Sequence, residues 1–133
     1  MSEIKDFFKN YSLFVDSVTS PDSKDDALAI SKIKELSLAL NGNYSRFDTA
    51  ISGLVGEAGE CADLWKKIKY HRKNFDEDTR KKMIDELGDV CWYLANAAIA
   101  LGVDWDEIIT RNIEKLQTRH PNGFSPAYMQ KKP

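Results

Sequence analysis

Between Pro21 and Pro121 the chain contains no proline, and its apolar residues recur there at helical spacing. Proline removes an N–H donor and clashes with the preceding turn, so it ends or kinks helices. Nothing in this interval forbids long helices, and no two-residue alternation persists that would mark strands. The expected fold is all-α, a bundle of about four to five helices. The first runs roughly from Glu3 to Val18, with Ile4, Phe7, Phe8, Tyr11, Phe14 and Val15 on one side. Thr19 to Ser23 break it, and Asp22 or Ser23 is a candidate cap for a second helix ending near Asn41-Gly42. Ser45 is a candidate cap for a long helix to about Tyr70. After the polar connection 71–75, Asp76 or Asp78 opens a helix lasting to Leu101-Gly102. Asp104 caps the last one, which ends near His120-Pro121. From Asn122 onward periodicity is lost, which predicts an extended arm or lid. At 133 residues, the chain is about one domain long, so 1–133 is expected to be a single domain.

Two strings within the long helices carry the chemistry: Glu57-Ala-Gly-Glu60 and Glu86-Leu-Gly-Asp89. In each, two carboxylates stand three residues apart, which puts both on one helix face. Ile51, Leu54, Ala58, Cys61, Ala62, Trp65 and Ile68 fill an arc of roughly 20–160° from Glu57, leaving Glu57 on its border and Glu60 just outside. Met83, Leu87, Val90, Leu94, Ala98 and Leu101 fill a similar arc beside Glu86, and Asp89 takes the place of Glu60. Glu60 lies about ten residues before the turn and Glu86 about ten after it, each roughly 15 Å away at 1.5 Å per residue. If the helices form an antiparallel hairpin, the two acidic pairs meet at one level. Clustered carboxylates in a half-buried place need compensation. Oxygen-only ligands suit a hard cation that also takes phosphate, magnesium or manganese. A single such pair is usually a solvated helix face; two at mirrored positions, each with a glycine, point to a metal site. Mid-helix glycine costs on the order of 1 kcal/mol against alanine, so Gly59 and Gly88 are expected either to let helices approach or to leave room for metal and phosphate.

Other classes of function find little support. The net charge of -2 lacks the basic excess of proteins that grip a nucleic-acid backbone, so no nucleic-acid polymer is expected as partner. No apolar run approaches the roughly 18 residues of a membrane span, and no membrane association is expected. The charged N-terminus does not read as a signal peptide, which makes the cytoplasm the expected compartment. Cys61 and Cys91 lie inside helical patterns and read as reduced packing residues. His71 and His120 sit at helix ends and lack ligand spacing to a cysteine, so zinc is not expected.

The string from Gly53 to His71, GLVGEAGECADLWKKIKYH, resembles the first motif of the MazG-like nucleotide pyrophosphohydrolases, within the all-α superfamily that includes dimeric dUTPases and dCTP pyrophosphatases. DELGDVCWYLANAAIALG, from Asp85 to Gly102, resembles the second motif, and NIEKLQTRHPNGF, from Asn112 to Phe124, the closing segment. The motif-bearing core is thus about 43–124, and it is similar to the short single-domain versions carried by bacteriophages, including cyanophages. Gly56 stands where many members have a second glutamate directly before Glu57, which leaves the group that orients the attacking water open. The resemblance implies magnesium-dependent hydrolysis of a nucleoside triphosphate, such as dGTP or dCTP, to its monophosphate and pyrophosphate. It implies Glu57, Glu60, Glu86 and Asp89 as metal ligands and catalytic residues, and a homo-oligomer, dimer or tetramer, in the cytoplasm of a host if the chain is phage-encoded.

Around that centre several residues are candidate substrate contacts. Lys67, among the lysines that follow the first acidic pair, reads as a phosphate contact or as solvated surface. Asn112, Lys115 and Arg119 share a face of the last helix, and the motif match favours them as phosphate-binding groups. Tyr93, one turn after Asp89, stands on the carboxylate side and suits a sugar or base. Trp65 reads as core, and Trp92 as a subunit contact. A dUTPase-like or dCTP-specific enzyme of the same superfamily, and a non-enzymatic helical interaction module, are the alternatives.

Overall fold

The computed structural model describes residues 2–124. Its helices are α1 (Ser2–Val18), α2 (Asp26–Ala39), α3 (Tyr44–Tyr70), α4 (Glu77–Leu101) and α5 (Trp105–Arg119), with one 3-10 turn at Pro21–Ser23. Among the described residues there is no strand, only an isolated bridge between Pro121 and Gly123. The fold is all-α, as the helical spacing predicts. Of the expected C-terminal arm only Asn122 to Phe124 are described; the remainder lies outside the described residues.

The chain separates into two compact units, 1–42 and 43–133. In the first, Asp25 caps α2, its Oδ1 accepting from Ala27 N at 2.8 Å and Leu28 N at 3.3 Å. The cap expected at Asp22 or Ser23 is thereby corrected: Pro21 fixes those residues in the 3-10 turn. The apolar side of α1 is exposed at Phe7, Phe8, Tyr11 and Phe14.

The second unit is built on a hairpin of α3 and α4, whose mutual packing is the most extensive between elements. Asn43, rather than Ser45, precedes the first turn of α3. Asp76 caps α4, accepting from Thr79 N at 2.9 Å, and Asp104 caps α5, accepting from Glu107 N at 3.0 Å. Gly102 closes α4 in the left-handed region, φ 69°, which glycine adopts without steric penalty.

Along the hairpin a stripe of buried and half-buried positions runs in steps of three and four. On α3 it is Ala50, Leu54, Glu57, Cys61, Leu64 and Ile68, and on α4 Thr79, Met83, Glu86, Val90, Tyr93, Ala97 and Ala100; Tyr44, Phe47, Gly53, Asp63 and the run 94–96 are also half-buried, and Ala98 is buried. This is the heptad seam of two helices that keep one stripe on each other. Glu57 and Glu86 occupy seam positions, which corrects the expectation that Glu57 borders the apolar arc. That arc is two stripes. Leu54, Cys61 and Ile68 face α4, whereas Ile51, Ala58, Ala62 and Trp65 are exposed.

Helix handedness sorts the flanking residues. Each step turns a right-handed helix by about 100°, and reversing the partner reverses that rotation as seen from one end. Residues just before a seam position therefore lie on one face of the hairpin from both helices, and those just after on the other. The first face carries Glu60, Asp63 and Lys67 from α3 with Lys82, Asp89 and Asn96 from α4. The second carries Ile51, Val55, Ala58, Ala62 and Trp65 with Ile84, Leu87, Cys91 and Leu101. The first face is polar and holds the clefts; the second is apolar and exposed.

Candidate metal centre and flanking clefts

At mid-hairpin the seam brings together Glu57, Glu86 and Asp89. One carboxylate oxygen from each lies within 4.8 Å of the others. Glu57 and Glu86 are half-buried and Asp89 is exposed, so the group opens onto the polar face. Burial pushes the Glu57 carboxyl above its ordinary value of 4.5, and the charges of Asp89, Glu86 and Glu60, in that order, push it the same way. Among the described residues no lysine or arginine forms an ion pair with any of the three. Oxygen donors with surplus negative charge and no protein cation fit a hard divalent ion. Glu60 stands outside the triplet but lines the adjoining cleft, one turn beyond Glu57.

That cleft, of about 210 Å³, is lined by Glu60, Asp63, Leu64, Lys67, Lys73, Lys82 and Glu86. Asp63 holds both neighbouring lysines, Lys66 and Lys67, at 2.6 Å. These hydrogen bonds lower its carboxyl to about 2 and raise Lys67, so the lysine stays charged beside Glu60. Lys67 thus lines the cleft together with Glu60 and Glu86. Lys73 and Lys82 escape sequence reasoning because neither lies in a motif string. Lys82 precedes the seam residue Met83, and that offset is the signal that places it on the polar face.

On the opposite side of the triplet, Ser45, Arg46, Thr49, Ala50, Trp92, Tyr93 and Asn96 line a second pocket of about 200 Å³. Trp92 and Tyr93 meet edge to face, their ring centres 4.8 Å apart at 89°. Tyr93 lies against Gly53, where a built Cβ would overlap its ring. A Cβ on Gly59 or Gly88 would meet nothing within 4 Å. These two glycines therefore border open space beside the carboxylates; close helix approach is the role of Gly53.

The α5 candidates are placed apart. Asn112 and Lys115 line a shallow depression with Ile108 and Arg111, and Arg119 is exposed in the last turn. None of the three lines either hairpin cleft.

The family of the MazG nucleotide pyrophosphohydrolase domain matches residues 46–124, which include all of the hairpin but the first two residues of α3, and α5. The chain is also similar to the Gene 37 protein of Mycobacterium phage L5, 43% identical over 72 residues. That match covers 53% of this chain and 63% of the phage protein, so the chain spans less than two thirds of its relative's length. No solved structure matches the chain. An all-α hairpin that brings Glu57, Glu86 and Asp89 together, and a family match over more than half of the sequence, agree: the chain belongs to the MazG nucleotide pyrophosphohydrolase domain family and resembles a phage-encoded relative.

Proposed function

We propose that this protein hydrolyses nucleoside triphosphates, deoxynucleotides such as dGTP and dCTP among them, to the monophosphate and pyrophosphate. The observation that carries the reading is the carboxylate triplet, without a lysine or arginine ion pair among the described residues and open to a cleft lined with lysines. Glu57, Glu86 and Asp89, with Glu60 one turn away, would hold magnesium, or manganese in its place. Bound there, such an ion supplies charge neutralisation at phosphate oxygens and a more acidic water.

The chain's own groups supply the rest. Lys67, fixed by Asp63, and Lys73 and Lys82 bind the phosphates that leave as pyrophosphate. A water oxygen bonds to the α-phosphorus, the bond from that phosphorus to the bridging oxygen breaks, and pyrophosphate departs with the electron pair. Glu57, half-buried on the seam, accepts the water's proton at an oxygen that the metal leaves free. Asn112, Lys115 and Arg119 serve as further phosphate contacts. The exposed apolar face behind the site supports a homo-oligomer, and a nucleotide substrate places the protein in cytoplasm. Residues 1–133 act as one functional domain.

The test incubates the protein with each ribo- and deoxynucleoside triphosphate plus magnesium and measures monophosphate and pyrophosphate. Turnover is expected, and it disappears in Glu60→Gln with Asp89→Asn. A folded protein that releases neither product from any nucleotide, and whose melting ignores magnesium, would overturn the reading in favour of a helical interaction module.

A further inference from the structure

We infer that the pocket walled by Trp92 and Tyr93 receives the nucleobase, and that Arg46 and Asn96 read its hydrogen-bonding edge in favour of cytosine or guanine. This deepens the proposed hydrolysis and rests on it. The placement comes first. The lysine cleft lies toward the hairpin turn from the carboxylates, and the aromatic pocket lies toward the start of α3, on the same polar face. Tyr93 and Asn96 follow Asp89 by four and seven residues, about 6–10 Å along the helix at about 1.5 Å per residue. A ribose spans such an interval. Phosphates at the lysines and metal at the carboxylates leave one end of the hairpin for the base.

The lining suits a flat heterocycle. The floor is Ala50, 1% exposed, and one wall is the crossed pair of Trp92 and Tyr93. The lysine cleft has no aromatic residue, so the two ends are not interchangeable. Gly53 lets the Tyr93 ring lie against α3 rather than across the pocket.

Polar groups then choose among bases. The Asn96 amide donates from Nδ2 to Trp92 O at 3.1 Å. That bond fixes which way the amide faces and leaves Oδ1 as an acceptor. Arg46 has no ion pair among the described residues, and its planar fork engages two adjacent acceptors at once. Cytosine offers O2 and N3 side by side, followed by the N4 amino donor. Guanine offers N7 and O6, followed by the N1 donor. Adenine, thymine and uracil interleave donors with acceptors, so the fork finds only one partner. An acceptor pair next to a donor is the pattern that Arg46 and Asn96 match together.

The experiment measures kcat and KM for dATP, dCTP, dGTP, dTTP and dUTP with the full chain and with Arg46→Met, Asn96→Ala and Asn96→Asp. Circular dichroism melts establish that each variant folds. Expected for the wild type is a preference for dCTP or dGTP, the two arms telling which. Arg46→Met should raise KM for the preferred nucleotide about tenfold to a hundredfold, change kcat far less and leave dATP and dTTP nearly unmoved. Asn96→Ala should flatten the ranking and Asn96→Asp, which keeps an acceptor, should retain it. A second readout needs no turnover: dCMP or dGMP should quench tryptophan fluorescence, and Trp92→Phe should remove the quench. Turnover with a ranking unchanged in Arg46→Met and Asn96→Ala, or a wild-type preference for dATP or dTTP, overturns the pocket assignment alone. No turnover on any nucleotide overturns the hydrolysis; the pocket then stands if Trp92 is quenched and falls if it is not.

Discussion

At Glu57 a seam that takes Leu54 and Cys61 on either side takes a carboxylate, and its neighbours across the seam are carboxylates too. Desolvation and three like charges raise its proton affinity, so without a divalent ion the charged form is a strain on the fold. Glu57→Gln should therefore raise the melting temperature of the metal-free protein while abolishing the stabilisation by added magnesium, both readable by calorimetry. The sign with pH follows. A folded pKa above the unfolded 4.5 means the native state binds more protons, so the destabilisation grows as pH rises through that window and vanishes below it. The advantage of Glu57→Gln should fade as the buffer is taken below pH about 4.5. Asp63 behaves oppositely. Held at about 2 by Lys66 and Lys67, it favours the fold above the unfolded 3.8, and that contribution is lost as pH falls toward 2. Asp63→Asn should remove that part of the acid transition and raise KM for the triphosphate by releasing Lys67.

At the scale of the helices, the four glycines of the hairpin separate into two kinds. Gly56, Gly59 and Gly88 face open space, so alanine there should stabilise α3 or α4 by about 0.5–1 kcal/mol through backbone entropy alone. Gly53→Ala drives a methyl into the Tyr93 ring and should cost about 1–3 kcal/mol, as overpacking does. Urea denaturation of the four single variants separates the two outcomes. Much of this level was legible in the sequence. The helical period, the proline-free interval, the choice of Asp76 or Asp78 and the cap Asp104 give α4 and α5 nearly to the residue, while α3 starts ahead of the cap expected at Ser45. The centre of the seam was not legible, because Leu54, Cys61 and Ile68 share their arc with Ile51, Ala62 and Trp65. Periodicity counts apolar residues without saying which of them meet α4. Asp22 and Ser23 are good caps on paper; Pro21 takes both into the 3-10 turn before α2 and leaves the cap to Asp25. Arg46 and Asn96 carry no motif, and only the pocket they line singles them out.

For the molecule as a whole, the apolar face behind the carboxylates is the dominant unsatisfied surface of the hairpin. Trp65 is 52% exposed, Leu87 52% and Ile84 49%. Contiguous apolar patches of this kind mark association surfaces. Sedimentation should find the wild type above monomer mass, and Trp65→Lys with Leu87→Lys should lower the apparent mass without moving a carboxylate. An unchanged mass in that variant would remove this face from the assembly. The family match and the acidic pairs were readable in one chain's sequence, and so was the expectation of a homo-oligomer, but not which apolar residues of the hairpin stay exposed. A hydrophobic stripe looks the same whether its cover comes from within or from another copy.

The heptad register of α3 and α4 also sets which changes of length the hairpin tolerates. Deleting one residue between Leu54 and Glu57 would turn every later side chain by about 100° and carry Glu57 off the seam and Glu60 off the polar face. Adding seven residues to each helix near the connection between Tyr70 and Glu77 would preserve both stripes and both faces. It would carry Lys73, which lies in that connection, away from the lysine cleft, and leave the carboxylates, the aromatic pocket and their spacing untouched. Hairpins of this kind should therefore vary in length by paired heptads at the loop end, and hardly at all between Arg46 and Lys67.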